Sequence, residues 1–200
     1  SNNIFKLAQP HMKKLAHELD QTCSLTQLDG SDVVYVARIT VPKIIRLAVT
    51  VGGRLPALGT AMGDVLLAEL DDKKIEEVLQ TPSLSTYIPT QQLTREQLIE
   101  QINFTRRNGY SISDERLTYG IRAIAVPIRT DDGKVHSSLG IATHSDSATV
   151  QQLQNQFLPQ LLEAAASIAK DWEYFASVPN VDIAFRAPDV PTSYPLRLRL

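Results

Sequence analysis

The sequence predicts an α+β domain, with one antiparallel sheet and helices packed on it. Three observations carry that reading. Strand-like runs come in pairs joined by short turns, not in the βαβ alternation that a parallel sheet requires. Apolar residues at helical spacing open and close the chain. Finally, 200 residues, 43% hydrophobic and 21% charged, suffice to bury a sizeable core in one domain.

In chain order, Met12, Leu15, Ala16 and Leu19 fall on one helix face, with Pro10 placed in the first turn, where its missing N–H costs nothing. Thr22 to Leu28 alternates like a strand. Asp29-Gly30-Ser31-Asp32 signals a turn, and VVYVARI follows as the second arm of a hairpin. KIIRLAVTV (43–51) reads as a third strand, stopped by Gly52-Gly53. Thr60 is the expected N-cap of a helix over 61–70, and Asp71-Asp72-Lys73-Lys74 starts a short helix reaching Gln80.

A connector with two prolines, 81–93, precedes the capping-box pattern Thr94-Arg95-Glu96-Gln97, which opens a helix closed by Asn108-Gly109. After YSISDERLTYG, the runs IRAIAVPIR and KVHSSLGIATH are two strands joined by Thr130-Asp131-Asp132-Gly133. A second capping box, Thr149 with Gln152, begins a long helix ending near Trp172. The remainder, 173–200, has four prolines and no helical period. Its LRLRL end fits either an extended arm on a sheet edge or an unstructured extension.

A formal net charge of −2 provides no global field for nucleic acid or an anionic membrane. The single cysteine, Cys23, excludes an internal disulfide and a cysteine zinc cluster. It reads as a buried structural thiol and agrees with a reducing, cytoplasmic location. There is no apolar run long enough to span a bilayer, and no membrane partner is expected.

Motifs for chemistry are missing. The sequence has no G-x-S-x-G elbow, no local histidine partner for Cys23, no HxxxH spacing among His11, His17, His136 and His144, and no phosphate-binding glycine loop. Asp114-Glu115 reads as a solvated acidic pair. No catalytic residue, metal site or cofactor is expected.

The stretch GGRLPALGTAMGDVLLAEL (52–70) carries the most information. If Thr60 caps the helix, the N–H groups of Ala61, Met62 and Gly63 are unpaired donors of its first turn. Small residues there either let the helix pack tightly on the sheet or let a small carboxylate reach those donors. Local physics leaves both readings open.

This stretch resembles the signature of the IclR family of bacterial transcription regulators, G-x-R-x-P-x-H-x-T-A-x-G-K-x-x-L-A. Gly52, Arg54, Pro56, Thr60, Ala61, Gly63, Leu67 and Ala68 match it. LDGSDVVYVAR, YSISDERLTYGIRAIAVPI and SSLGIAT agree in order, so the resemblance covers residues 4–172. The blocks DGSDVVYVAR and GIRAIAVPI look most like the PcaR/PobR-type branch, which controls aromatic-acid catabolism.

The resemblance implies a GAF-like effector-binding domain over 21–172. It also implies a linker helix over 1–20 from an N-terminal winged helix-turn-helix outside this chain, which would supply DNA binding, and a Pro-rich tail over 173–200. A homodimer or homotetramer is expected. The implied effector pocket is formed by Ile44, Leu47, Leu55, Thr60, Ala61, Met62, Gly63, Ser113, Ile121, Ala123, Gly140 and Ala142. Arg54 and Arg46 are candidate ligand or loop cations, and Arg122 is expected to point away.

Because Ala123, Gly140 and Ala142 are small and apolar, the pocket is expected to be roomy and dry. Such a pocket suits a small aromatic carboxylate of the protocatechuate or 4-hydroxybenzoate class. The alternatives are an oligomerisation module with a vestigial pocket and a sensor of a small aliphatic acid. Two positions depart from the signature: Leu58 stands for the usual histidine, and Asp64 for the usual base. Asp64 is expected to face away from the pocket.

Overall fold

The computed structural model describes residues 3–43 and 49–178. Helix α1 (Asn3–Leu19) leads into strands β1 (Thr22–Asp29), β2 (Asp32–Ile39) and β3 (Arg54–Pro56). Helices α2 (Ala61–Leu67), α3 (Asp72–Gln80) and α4 (Arg95–Asn108) follow, then β4 (Ser111–Asp114), β5 (Ile121–Arg129) and β6 (Val135–His144). The last helical stretch comprises α5 (Val150–Gln152), a π-helical turn (Leu153–Phe157) and α6 (Leu158–Ser177). The strands form one sheet in the order β3-β2-β1-β6-β5-β4, antiparallel throughout.

Each face of the sheet carries its own core. On one face α1 and α6 cover Cys23, Leu25, Ile124, Val126, Ile128, Leu139 and Ile141. On the other α2, α3 and α4 gather around Val33, Tyr35, Leu55 and Ala125. Strand period two assigns alternate residues to opposite faces, with one interruption. Leu25 pairs with Ala37 but Thr26 pairs with Tyr35, so Val36 is an extra residue, a bulge, on β2. The bulge resets the alternation: Tyr35 joins the α2 core while Ala37 joins the α1/α6 core.

Several expectations are corrected. Pro10 lies inside α1, on its exposed face, where the missing N–H is tolerated because Ile4, Ala8, Met12, Leu15 and Ala16 anchor the opposite face. Of the run 43–51, residues 44–48 lie outside the described residues. Val51 and Gly52 form a turn, and the third strand is Arg54–Pro56. Helix α2 stops at Leu67, and SISD is an unforeseen short edge strand, β4.

The last helix continues past Trp172 to Ser177. Its π-turn sits just before Pro159, whose ring cannot accommodate a regular preceding turn; there the Leu158 N–H donates to the Leu153 carbonyl. The tail beyond Val178 lies outside the described residues.

Candidate functional site

The chain enters the site through the 52–63 stretch. Tyr35 N–H donates to the Gly53 carbonyl (3.0 Å) and Gly52 N–H to the Tyr35 carbonyl (2.7 Å), which moors this loop to β2. Thr60 then caps α2 from an extended backbone, with φ −105° and ψ 148°. Its Oγ1 accepts from Gly63 N–H (3.2 Å) and donates to the Pro56 carbonyl (2.9 Å) or that of Ala57 (3.1 Å). One of the three first-turn donors is therefore consumed by the cap, and the N–H groups of Ala61 and Met62 are left without an intrahelical partner.

The two readings of the small residues divide by position. A Cβ on Gly63 would collide with the Ala57 backbone, so that glycine exists for close packing. A Cβ on Gly140 would meet Met62 Cγ at 2.9 Å and Sδ at 3.0 Å, so Met62 rests directly on the floor of the sheet. Ala61 and Met62, by contrast, border a hollow.

That hollow lies between the sheet and the start of α2. It is lined by Tyr35, Leu55, Thr60, Ala61, Met62, Ser113, Leu117, Ile121, Ala123 and Ala142, and its cavity volume is about 30 Å³, so the hollow is narrower than the roomy pocket expected from its small side chains. The register explains the gathering. Ser113, Ala123, Ala142 and Thr22 form one cross-strand row, and Ser111, Ala125, Gly140 and Ser24 the next.

Leu55, Thr60, Ala61, Met62, Ser113, Ile121, Ala123 and Ala142 are brought together around the hollow, and Gly140 sits beneath Met62. Gly63 is not part of the lining. Ile44, Leu47 and Arg46 lie outside the described residues. Sequence reasoning missed two lining residues, Tyr35 and Leu117. Tyr35 faces the same side as Val33 by strand alternation, a signal that could have found it, whereas Leu117 lies in an aperiodic loop.

The cations expected near the site are mostly occupied. Arg54 is a loop clamp, not a lining residue. Its Nη1 donates to Asp29 at 2.7 Å and its Nε to Asp32 at 3.2 Å. The buried Asp32 carboxylate also accepts from Ser83 Oγ and from Leu84 N–H (2.9 Å). The connector 81–93 then reaches the β4–β5 turn, where Thr90 N–H donates to the Leu117 carbonyl and Gln91 N–H to that of Arg116, both at 3.0 Å. Arg122 points away, holding Asp114 (2.6 Å) and the carbonyls of Ser145 and Ala148 (2.8 Å each).

Asp64 faces away from the hollow, as expected, but it is buried. It accepts from Ser111 Oγ (2.7 Å) and lies 3.5 Å from Arg116, itself only 8% exposed. The base that the signature carries at position 64 is thereby replaced by an acid whose counter-charge comes from the β4–β5 turn. Burial pushes the Asp64 carboxyl up to about 6, against the opposing pull of Arg116 and Ser111. Burial likewise raises the Tyr35 phenol, which stays protonated, and pushes the Cys23 thiol up to about 12, leaving it inert. Among the described residues no cluster of histidine, cysteine and carboxylate side chains is placed to hold a metal ion. Nor is any helix among them long and apolar enough to cross a membrane.

Residues 1–170 match the family described as bacterial transcriptional regulator IclR, C-terminal. The chain is 36% identical over 162 residues to the Pca regulon regulatory protein of Pseudomonas putida, covering 80% of this chain and 56% of that protein. It is thus similar to little more than half the length of that relative.

In structure it is similar to the inducer-binding domain of a double mutant of the PobR transcription factor from Acinetobacter, solved with 3-hydroxybenzoic acid. The TM-score is 0.73 at 30% identity, covering 82% of this chain and 97% of that one. It is also similar to an IclR homologue from Microbacterium hydrocarbonoxydans solved with 4-hydroxybenzoate. There the TM-score is 0.75 at 25% identity, covering 86% of this chain and 69% of that one. With its signature stretch capping a hollow on the sheet, and with that family match over residues 1–170, the chain belongs to the IclR family of transcriptional regulators, not enzymes, and represents its C-terminal part.

Proposed function

We propose that this chain is the effector-sensing domain of a transcriptional regulator and that its ligand is a small aromatic carboxylate of the hydroxybenzoate or protocatechuate class. The observation that carries this reading is the pair of N–H groups, Ala61 and Met62, at the edge of a hollow otherwise walled by Leu55, Leu117, Ile121, Ala123 and Ala142. A carboxylate accepts from the two N–H groups while the ring lies on the short side chains of β5 and β6. The hydroxybenzoates held by the two structural relatives support the same class. The domain is GAF-like in this reading and works as a cytoplasmic homodimer or homotetramer. DNA is bound by a winged helix-turn-helix preceding this chain, and the effector acts by its differential affinity for two arrangements of the assembly.

Calorimetry and thermal unfolding with 3-hydroxybenzoate, 4-hydroxybenzoate, protocatechuate, glyoxylate and pyruvate test it. The aromatic acids are expected to bind and to stabilise the fold, by about 2.7 kcal/mol at one hundred times Kd. Ala61→Asp is expected to abolish binding and keep the fold. Binding of glyoxylate or pyruvate alone would assign a small aliphatic acid. A stable oligomer indifferent to every acid would leave only an assembly role.

A further inference from the structure

We propose that the buried Asp64–Arg116 pair is a strut that positions Leu117 against the start of α2, so that these two residues set effector affinity without touching the effector. This rests on the reading of the hollow as an aromatic-acid site. The hollow has walls of two kinds. Leu55, Ile121, Ala123 and Ala142 stand on paired strands, whose ladders hold them in place. Leu117 stands on the stretch 115–120 between β4 and β5, which lies outside the ladders. A side chain carried by such a loop keeps a fixed position only where other contacts hold its backbone.

Those contacts come from two sources. The connector supplies one: Thr90 N–H and Oγ1 both donate to the Leu117 carbonyl, and Gln91 N–H donates to that of Arg116, each at 3.0 Å. The Arg116 side chain supplies the other. Its Nη2 donates to the Ile112 carbonyl of β4 (2.7 Å) and lies 3.5 Å from Asp64 Oδ2. That same carboxylate oxygen accepts from Ser111 Oγ at 2.7 Å, which ties it to β4 as well. Asp64 belongs to the first turn of α2, whose Ala61 and Met62 line the hollow. One ion pair thus joins α2, β4 and the residue preceding Leu117. Asp64 is 1% and Arg116 8% exposed, so water screens neither charge, and removing one partner leaves the other buried and unpaired. The guanidinium stays protonated and has no second carboxylate among its printed ion pairs, so the backbone at 116 is held where Asp64 places it.

The test compares the wild type with Asp64→Asn, Arg116→Met, Arg116→Lys and the double variant Asp64→Asn/Arg116→Met, each first shown to be folded by thermal unfolding. The double variant buries no unpaired charge and serves if a single one does not fold. Two readouts are needed: calorimetry with 3-hydroxybenzoate, 4-hydroxybenzoate and protocatechuate, and amide hydrogen exchange in the ligand-free protein. Asp64→Asn and Arg116→Met are each expected to lower affinity by about tenfold. The double variant should lose about tenfold as well, not a hundredfold, because the two residues act as one unit. Arg116→Lys keeps the charge and should stay within about threefold of the wild type. In the free Arg116→Met and double variants the Thr90 and Gln91 amides, which donate to the carbonyls of the strutted loop, should exchange at least about tenfold faster relative to those of Ile124 and Leu139. Wild-type affinity in the folded double variant overturns the proposal, and so does an additive loss. A loss in Arg116→Lys equal to that in Arg116→Met overturns the ion pair as the strut. Lower affinity with unchanged exchange at 90 and 91 would mean that the pair does not position the loop, and also overturns it. If no aromatic acid binds the wild type, the aromatic-acid reading itself falls, and the exchange rates alone judge the strut by the same criterion.

Discussion

The two faces of the sheet are cut from the same strands and built to opposite ends. Towards α1 and α6 the strands present Cys23, Leu25, Ile124, Val126, Ile128, Leu139 and Ile141, all buried under aliphatic helix side chains. Towards α2 the alternate positions are Ser24, Thr26, Ala123, Ala125, Ser138, Gly140 and Ala142. Branched aliphatic side chains fill a layer, and short ones leave a hollow. The hydroxyls of Thr26 and Ser138, paired across β1 and β6, are buried without hydrogen-bond partners among the described residues. Strand alternation therefore lets one sheet carry a filled layer on one side and, beside a second core, a hollow on the other.

The largest expected effect breaks the filled face. Leu25→Ala removes a fully buried side chain and should cost about 2–5 kcal/mol in urea unfolding, with aromatic-acid affinity unchanged in the folded protein. A parallel loss of affinity would show that the two faces are not independent.

The next concerns Asp64 under α2. Its carboxyl is held at about 6 in the folded protein, above its ordinary value of 3.8. Between those values the folded state binds more protons than the unfolded state, so this group's contribution makes the fold less stable as pH rises from about 4 to about 6. The swing is on the order of 2–3 kcal/mol. Unfolding measured at pH 4 and pH 7 should show this component in the wild type and lose it in Asp64→Asn. An identical pH dependence in the two proteins would remove Asp64 as its source.

The smallest sharpens the open face. In Gly140→Ala the new methyl meets Met62 Cγ at 2.9 Å and the Ile124 carbonyl oxygen at 3.3 Å, so unfolding should shift by about 1–2 kcal/mol. Because Met62 borders the hollow, calorimetry should nonetheless register a change in affinity. A large loss of stability with unchanged affinity would make Met62 a packing residue only.

Much of the fold is legible because its signals are local. Thr94–Gln97 and Thr149–Gln152 close the capping boxes their spacing implies, Asp71 caps α3, and Asp29 and Asp32 pair across the first hairpin. The misreadings arise where distant contacts outvote local pattern. Among the described residues Arg54-Leu55-Pro56 is the segment laid along β2, fixed by the pairing of Gly52 and Gly53 with Tyr35, and so short a run does not announce a strand. SISD is too short and polar to announce a strand until β5 lies beside it. At the site, the family resemblance names Ile121, Ala123, Gly140 and Ala142, and the alternation of β5 and β6 gives only the shared facing within each pair. Tyr35 shares its facing with Val33 by plain alternation, while the extra residue, Val36, inverts the facing of the residues after it, such as Ala37.

By itself the sequence determined the antiparallel class, the helix caps and the signature stretch, since each depends on residues within a few positions of one another. Only the tertiary structure decided which small residues serve packing and which border the hollow. Gly63 is dictated by the Ala57 carbonyl and Gly140 by Met62, whereas Ala61 and Met62 border the hollow. It also decided the fate of the acid at position 64, whose partners Ser111 and Arg116 come from the far edge of the sheet. Close approach and burial are properties of atoms brought together from distant parts of the chain, and no local pattern encodes them.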